Sequence, residues 1–347
     1  MDAKMASWKS TGTYGVDYFQ TFSPTLKITT LRVSLHVAAQ RDYELHSLDF
    51  STAFLQGSLH VEIWLRRPPG FTESFPAGTQ WSLRRPVYGL RQAPREWHDT
   101  LRTTLAALGF APSTVDPSLF LRTDTSLPPF YVLVYVDDLV FATADTEALT
   151  LVKSELQKRH ICTDLGELRS YLGLQITRDR ARCTITLTQS QMVHQSVEPS
   201  GPYPELVGCL MYLMTCTQPD LTYPLSLLAR YVAPVRRAWG SCLEDGVQLS
   251  SPVTQTLPSS SCEAEIYAGA MAAQELRWLT YLLTDLVEQP RVPPQRGQLR
   301  LAYMASRANT ADIFTKALPP GDHQRFSTVF GLVPTLPHLL IALLCFS

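Results

Sequence analysis

The feature that most constrains this sequence is an acidic pair set between two dense apolar runs. The runs Phe130 to Tyr135 and Leu139 to Thr143 are rich in aromatic and β-branched residues, and Asp137 and Asp138 lie between them. Runs of this composition predict two β-strands, and the short gap predicts a hairpin with the aspartates in its turn. An Asp-Asp turn is most often ordinary turn chemistry, so its function depends on what the fold brings beside it.

Helix and strand patterns alternate ahead of this hairpin. The segment Tyr43 to Phe50 alternates polar and apolar residues, which predicts a strand that carries Asp49 to its end. A helix is predicted on either side of it, one ending at Arg41 and Asp42 and one with Pro94 in its first turn. Their apolar stripes are Ile28, Leu31, Leu35 and Ala38 or Ala39 in the first helix, and Trp97, Leu101, Leu105 and Leu108 before Gly109 in the second.

The rest of the chain predicts further mixed structure. Loops are expected between Arg67 and Gly89, where proline, glycine and aromatic residues dominate, and residues 232–258 lose all periodicity. The remaining predicted elements are a helix with Leu149, Val152 and Leu156 on one face, a hairpin of Leu172 to Ile176 and Cys183 to Leu187, and a helix from Glu263 to Val287. This order predicts an α/β (α+β) fold.

Three aspartates have the arrangement that a two-metal site requires. Adding a nucleotide to a 3′-hydroxyl needs activation of the attacking oxygen and neutralisation of the leaving pyrophosphate, which two divalent ions about 3.5–4 Å apart achieve together. Magnesium prefers hard oxygen ligands on rigid positions. Asp49 at a strand end and the pair Asp137 and Asp138 in a hairpin turn are candidates for this role.

The sequence motifs around these aspartates resemble the reverse transcriptase of copia-type LTR retrotransposon Pol polyproteins. The similar strings, in the order of that family, are LHSLDFSTAFLQGSLHVEIWLRRPPGF (45–71), VYGLRQAPREWHDTL (87–101), DPSLF (116–120), YVLVYVDDLVFA (131–142), LGELRSYLGLQI (165–176) and YPELVGCLMYLMTCTQPDLTYPLSLLARY (203–231). The resemblance covers roughly residues 15–231 and implies a right-hand polymerase palm and fingers built on an antiparallel sheet. It also implies RNA template, DNA primer and dNTPs as partners, with other Gag and Pol products and no membrane.

The resemblance implies a role for each of several residues. Asp49 and Asp137 would be the principal ligands of two Mg²⁺ ions, or of Mn²⁺, with the Phe50 carbonyl helping and Asp138 completing the site. The remaining implied contacts are Phe54 as the steric gate against a ribose 2′-hydroxyl, Gln92 and Tyr135 near the nucleotide, and Arg91 and Arg95 on phosphates. Core packing is the alternative for Phe54 and for Tyr135.

Two parts of the family pattern are incomplete. The basic fingers strand expected ahead of Asp49 is missing, because the chain joins the pattern only near Gly15. The strings at 259–279 and 306–319 resemble a ribonuclease H domain, in which Glu265 and Asp312 match two of four acidic ligands. We expect a degenerate ribonuclease H-like α/β segment without activity, and a polymerase of impaired activity.

The composition sets weaker limits. A net charge of −1 gives no global attraction to nucleic acid. Seven arginines between Arg66 and Arg102 form a local basic stretch that could face phosphates or form an ordinary solvated surface. Seven cysteines without a Cys-x-x-Cys pair fit neither a disulfide framework nor a zinc site, and indicate a reducing intracellular setting. The family resemblance implies either a cytoplasmic virus-like particle or the nucleus as the location.

The predicted organisation has five parts: an atypical segment (1–14), the reverse transcriptase (15–231), a linker or deletion remnant (232–258), a partial ribonuclease H-like region (259–319) and an apolar tail (320–347). Two interpretations compete with an active polymerase. One is a noncatalytic retrotransposon relic that at most binds nucleic acid through its arginines. The other is an unrelated metal-binding α/β protein with coincidental aspartates.

Overall fold

The protein is mixed α/β, with antiparallel sheets. A computed structural model describes residues 21–66, 80–192, 203–230, 261–287, 309–330 and 332, with the backbone alone for 261–270. These residues form two compact units. The first contains the chain up to Leu168, residues 178–185 and the end of a long helix from Arg277, and the second contains residues 169–177 and 186–276 together with those from 309 onward.

A six-stranded sheet is the framework of the first unit. Its strands are β1 (Glu44–Phe50), β4 (Phe110–Pro112), β5 (Leu119–Arg122), β6 (Phe130–Tyr135), β7 (Asp138–Thr143) and β8 (Cys162–Glu167). Their order is β4-β5-β6-β7-β1-β8, with every neighbouring pair antiparallel. The strand β1 therefore lies between β7 and β8, although about ninety residues separate it from β7 in the chain.

Helices and a separate ribbon of two short strands accompany this sheet in the described part of the first unit. The helices are α1 (Ile28–Gln40), α2 (Ala53–Gln56), α3 (Ala93–Ala107) and α4 (Thr146–Arg159), and the ribbon pairs β2 (Trp64–Arg66) with β3 (Gln80–Ser82). Only β3 falls within the loop-rich stretch predicted between Arg67 and Gly89, of which residues 67–79 lie outside the described ranges. Cross-strand pairing, which short sequence patterns do not reveal, stabilises β3.

The apolar faces predicted for α3 and α4 form the main core. Trp97, Leu101 and Leu105 of α3 and Leu149, Val152 and Leu156 of α4 are all buried against the sheet. Successive side chains of a strand point to opposite faces, so only alternate residues of β6 join this core. They are Phe130, Val132 and Val134.

The end of the long helix α7 (Ser261–Val287) belongs to the first unit from Arg277 onward. The Trp278 indole N–H donates to the Val115 carbonyl (3.2 Å), and the buried Ser113 hydroxyl donates to the Asp285 carboxylate (2.6 Å). The Tyr131 hydroxyl of β6 donates to the Leu286 carbonyl. These bonds tie residues that resemble part of a ribonuclease H region to the six-stranded sheet.

The second unit is smaller. It contains most of a sheet of order β11-β10-β9, formed by β9 (Ser170–Tyr171), β10 (Leu174–Asp179) and β11 (Thr184–Thr188), which agrees with the predicted hairpin. Its helices include α5 (Tyr203–Cys216), α6 (Thr222–Leu228), α8 (Pro320–Val329) and two 3₁₀ turns at Pro219–Leu221 and Thr310–Phe314. A small core of Leu210, Leu213, Leu221 and Leu225 holds α5 and α6 together.

Several sequence predictions fall on residues that the structure does not describe. The segment 1–14, the linker 232–258 and the tail beyond residue 332 lie outside the described ranges, so the corresponding boundaries stay predictions. The part of the predicted tail from Pro320 to Val329 is helical. Among the described helices, none combines the length and hydropathy that a membrane span requires.

Candidate functional site

The sheet brings Asp49 and Asp138 opposite each other. The two residues are Cα partners in the antiparallel pairing of β1 with β7, and both are half-buried. Directly paired residues in such a ladder lie about 4.5–5.5 Å apart. The strand ends thus bring together two carboxylates whose positions differ by 89 in the sequence.

Asp137 occupies the hairpin turn, but Asp138 does not. Tyr135 pairs with Asp138, so the loop between β6 and β7 contains only Val136 and Asp137, and Asp138 is the first residue of β7. The prediction that both aspartates occupy the turn is therefore wrong for Asp138. The backbone pairing of the hairpin extends one residue further than the apolar pattern indicates.

Two hydrogen bonds fix this turn. The Phe50 backbone N–H donates to the Asp137 carbonyl (2.9 Å), which joins the residue after Asp49 to the turn itself. The indole N–H of Trp97 donates to the Val136 carbonyl (2.6 Å). Val136 has a φ of 56°, in the left-handed region that β-branched residues rarely adopt, and such strain costs on the order of 1–3 kcal/mol. The surrounding bonds must hold the turn in this conformation.

The carboxylates lie within one another's electric field. Burial, together with the negative charges of Asp137 and Asp49, raises the pKa of Asp138 to about 6. Burial and the same two charges also raise the pKa of the Tyr88 hydroxyl. Within the described ranges, none of the three aspartates forms a salt bridge with a basic side chain. Among the described residues, no basic side chain therefore neutralises these carboxylates directly.

Divalent metal ions fit this donor chemistry. Carboxylate oxygens on rigid strands are the ligands that Mg²⁺ prefers, and a bound cation would offset both the burial and the repulsion that raise the pKa of Asp138. In the described part of the chain, however, no group of three or more His, Cys, Asp or Glu side chains is arranged to hold a metal ion. The carboxylate chemistry thus supports a metal site, while the complete set of metal ligands stays a prediction.

The residues predicted to contact the nucleotide lie in three settings. Phe54 in α2 is half-buried and packs against the Tyr88 ring, with 4.7 Å between ring centroids. Tyr135 is half-buried beside Asp138. Gln92 is only 7% exposed and precedes α3, where its carbonyl accepts from the Glu96 N–H (3.0 Å). The structure thus brings Tyr135 beside the aspartates, whereas Gln92 is mostly buried at a helix start.

The predicted phosphate contacts and the predicted ribonuclease H pair are placed as follows. Arg91 is exposed, and Arg95 pairs with Asp99 at 3.5 Å one turn along α3. Asp312 is 6% exposed and forms an ion pair with Lys316 at 2.8 Å. Glu265 lies in the part of α7 for which the backbone alone is described.

Sequence reasoning missed the contributions of Tyr88 and Trp97. The helical spacing predicts Trp97 on an apolar helix face. A buried indole N–H also needs a hydrogen-bond acceptor, and this requirement was the one indication of a further role. Its acceptor lies 39 residues away, so no local pattern identifies it. For Tyr88, which is 45% exposed, the sequence carries no signal that separates it from an ordinary loop tyrosine.

Comparisons with known proteins identify the family of this chain. Residues 9–202 match the family described as reverse transcriptase (RNA-dependent DNA polymerase). The chain is 28% identical to the retrovirus-related Pol polyprotein from transposon RE2 of Arabidopsis thaliana, over 93% of this chain and 30% of that protein. It is also 28% identical to the Pol polyprotein from transposon TNT 1-94 of Nicotiana tabacum, over 65% of this chain and 20% of that protein.

A shorter relative comes from yeast. The putative transposon Ty5-1 protein of Saccharomyces cerevisiae is 32% identical over 54% of this chain and 70% of that protein. The chain spans about a third or less of the two plant Pol polyproteins. The matched family region contains all three aspartates, Phe54, Tyr88 and Trp97.

Proposed function

Because the chain belongs to the reverse transcriptase (RNA-dependent DNA polymerase) family, and to its copia type, we propose that it catalyses RNA-directed DNA synthesis at Asp49, Asp137 and Asp138. The substrates would be dNTPs added to a DNA primer on an RNA template, in a right-hand palm and fingers formed by the first unit. The observation that carries the proposal is the pairing of Asp49 with Asp138 beside Asp137. The pKa of Asp138, raised by burial and by the charges of Asp137 and Asp49, supports it.

Each acidic residue has a role in this proposal. Asp49, Asp137 and Asp138, helped by the Phe50 carbonyl, would hold two Mg²⁺ ions, and Mn²⁺ would substitute for Mg²⁺. When bound, the ions supply activation of the primer hydroxyl and charge neutralisation at the leaving pyrophosphate. The chain itself supplies rigid placement, because the strand pairing and the Phe50 to Asp137 hydrogen bond fix the relative positions of the acidic residues.

The nucleotide and the nucleic acid would lie next to this site. Phe54, supported by the Tyr88 ring, would exclude a ribose 2′-hydroxyl, while Tyr135 and Gln92 would lie near the nucleotide. Exposed arginines of the 66–102 stretch, among them Arg91, together with Arg95, would contact backbone phosphates. Because these contacts release counterions, the affinity for nucleic acid would fall as the salt concentration rises.

Primer extension tests the proposal. The purified chain should extend a DNA primer on an RNA template in the presence of Mg²⁺, and Asp137→Asn should lower the rate by more than about 100-fold. The matched control is Asp124→Asn, because Asp124 is an exposed aspartate in the connection between β5 and β6. Extension that is equal in wild type and Asp137→Asn, or absent from both, would contradict the proposal.

A noncatalytic relic that binds nucleic acid is the second candidate. It is favoured by one specific observation, namely that the described residues contain no group arranged to hold a metal ion. It predicts salt-dependent binding of an RNA:DNA hybrid that Asp137→Asn leaves unchanged, with no extension by the wild type. Binding and extension measured on the same preparations separate the two candidates.

Ribonuclease H activity is proposed to be absent. Of the two matching acidic residues, Asp312 is already engaged by Lys316 and by the Asn309 amide (3.0 Å). A buried carboxylate held by an ion pair and a hydrogen bond is less available to a metal ion. Incubation of a labelled RNA:DNA hybrid with the protein and Mg²⁺ or Mn²⁺ should leave the RNA strand intact, and metal-dependent cleavage would refute this expectation.

A further inference from the structure

Trp97 connects α3 to the segment that carries Asp137. Its side chain is 1% exposed, and its indole N–H donates to the Val136 carbonyl at 2.6 Å. Val136 is the first of the two loop residues and has a φ of 56°. A single, short hydrogen bond from a fully buried side chain therefore fixes the peptide group immediately before Asp137.

The same side chain contacts the segment that carries Asp49. The Trp97 ring meets Phe50 edge to face, with 4.9 Å between ring centroids and 70° between ring planes. Phe50 follows Asp49 directly and donates its backbone N–H to the Asp137 carbonyl. His160 packs edge to face on both rings, with 5.6 Å between ring centroids in each case. Trp97 thus contacts both segments that carry the site.

The chemistry of the turn explains why such a contact matters. A valine in the left-handed region is strained, so the peptide between Val136 and Asp137 tends to rotate towards an unstrained conformation. Rotation of this peptide would move the Asp137 carboxylate relative to Asp49. A hydrogen bond to the Val136 carbonyl opposes the rotation, and the buried indole has no freedom to follow it.

We propose that Trp97 is a positioning residue of the polymerase site, which keeps Asp137 and Asp49 in the relative placement that metal binding requires. The inference rests on the proposed polymerase function, and it concerns placement rather than chemistry. Trp97 acts through Val136 and Phe50, and its N–H is the atom that matters.

Two substitutions remove that N–H. Trp97→Phe removes it with part of the ring, and Trp97→3-benzothienylalanine replaces it by sulfur while the ring size is retained. The matched control is Trp278→Phe, since the Trp278 N–H also donates to a backbone carbonyl of the first unit, that of Val115, at 3.2 Å. The control loses the same kind of bond at a position that touches neither Val136 nor Phe50.

The primary measurement is Mn²⁺ binding to the full chain, followed by electron paramagnetic resonance. Both Trp97 variants should bind Mn²⁺ at least about 5-fold more weakly than wild type, and Trp278→Phe should match wild type. In primer extension the Trp97 variants should lower kcat by about 10- to 100-fold with little change in the KM for dNTP, because a displaced carboxylate slows the step without changing base or sugar contacts. Far-ultraviolet circular dichroism checks that each variant is folded.

The outcomes separate this inference from the proposed function. Wild-type Mn²⁺ binding that Asp137→Asn abolishes but both Trp97 variants retain would overturn the positioning role, whether or not the protein extends primers. Weakened Mn²⁺ binding in the Trp97 variants, with wild type inactive in extension, would support the positioning role and contradict the proposed activity. Equal loss in Trp97→Phe and Trp278→Phe would indicate a general structural effect and would also overturn the inference.

Discussion

Replacing Asp138 by asparagine should stabilise the metal-free protein at pH 8. In the folded state burial, with the charges of Asp137 and Asp49, raises the pKa of Asp138 from 3.8 to about 6. At about 1.4 kcal/mol per pKa unit, this rise corresponds to about 3 kcal/mol against the ionised form. Because the side chain is only half-buried, solvent screening reduces the expected gain to about 1–2 kcal/mol.

The raised pKa of Asp138 predicts how the stability difference between Asp138→Asn and wild type depends on pH. A carboxyl with a raised folded-state pKa contributes stability that is fully present below pH 3.8 and is lost as pH rises through about 6. The advantage of Asp138→Asn over wild type should therefore be near zero at pH 4, grow between pH 4 and 6, and level off above pH 7. Urea unfolding in EDTA, followed at several pH values, measures the difference in free energy of unfolding.

Asp164→Asn is the control of opposite sign. Burial alone would raise the pKa of Asp164, but hydrogen bonds from Lys153 and Gly166 lower it overall. Its contribution to stability is present above its unfolded pKa, so Asp164→Asn should destabilise the protein at pH 8. A gain for Asp138→Asn that stays constant from pH 4 to pH 8, or a loss at pH 8, would refute the electrostatic argument.

Two further predictions concern the nucleotide and the helix α7. Phe54→Val should raise the relative use of ribonucleotides in primer extension by about 10- to 100-fold, because the smaller side chain leaves room for a 2′-hydroxyl, and unchanged discrimination would mean that Phe54 is packing only. Ser113→Ala should lower the free energy of unfolding by about 1–3 kcal/mol, because it removes the buried hydrogen bond to Asp285, and urea unfolding with no change in midpoint would contradict this.

The helices and strands around the site follow closely from sequence patterns. The apolar stripe of α3 predicted that Trp97, Leu101 and Leu105 are buried, and all three are at most 1% exposed. The strand that carries Asp49 ends at Phe50, as alternation indicated. Long stripes and dense β-branched runs are strong signals because burial of their apolar side chains dominates the local energy.

The conformation of Val136 could not be predicted from the sequence, in part because it depends on a contact with a distant residue. Turn chemistry would not place valine at a positive φ, since glycine, asparagine and aspartate adopt this region far more readily. Because Tyr135 pairs with Asp138, Val136 must lie in the two-residue loop of the hairpin. The Trp97 hydrogen bond then holds its carbonyl in place. The Trp97 hydrogen bond joins residues 39 apart, so it is not visible within a window of ten residues.

Two unfavourable features of the first unit meet at the same few residues. One is the strained turn at Val136, and the other is the burial of Asp138, which together with the repulsion from Asp137 and Asp49 raises its pKa. Local rules are most often broken at functional sites, where the strain or charge serves the chemistry. Binding nucleic acid through surface arginines gains nothing from either feature. Two divalent cations, in contrast, would relieve the repulsion and would bind the carboxylates that the turn holds in place. The cost in stability therefore favours a polymerase site over a surface that only binds nucleic acid.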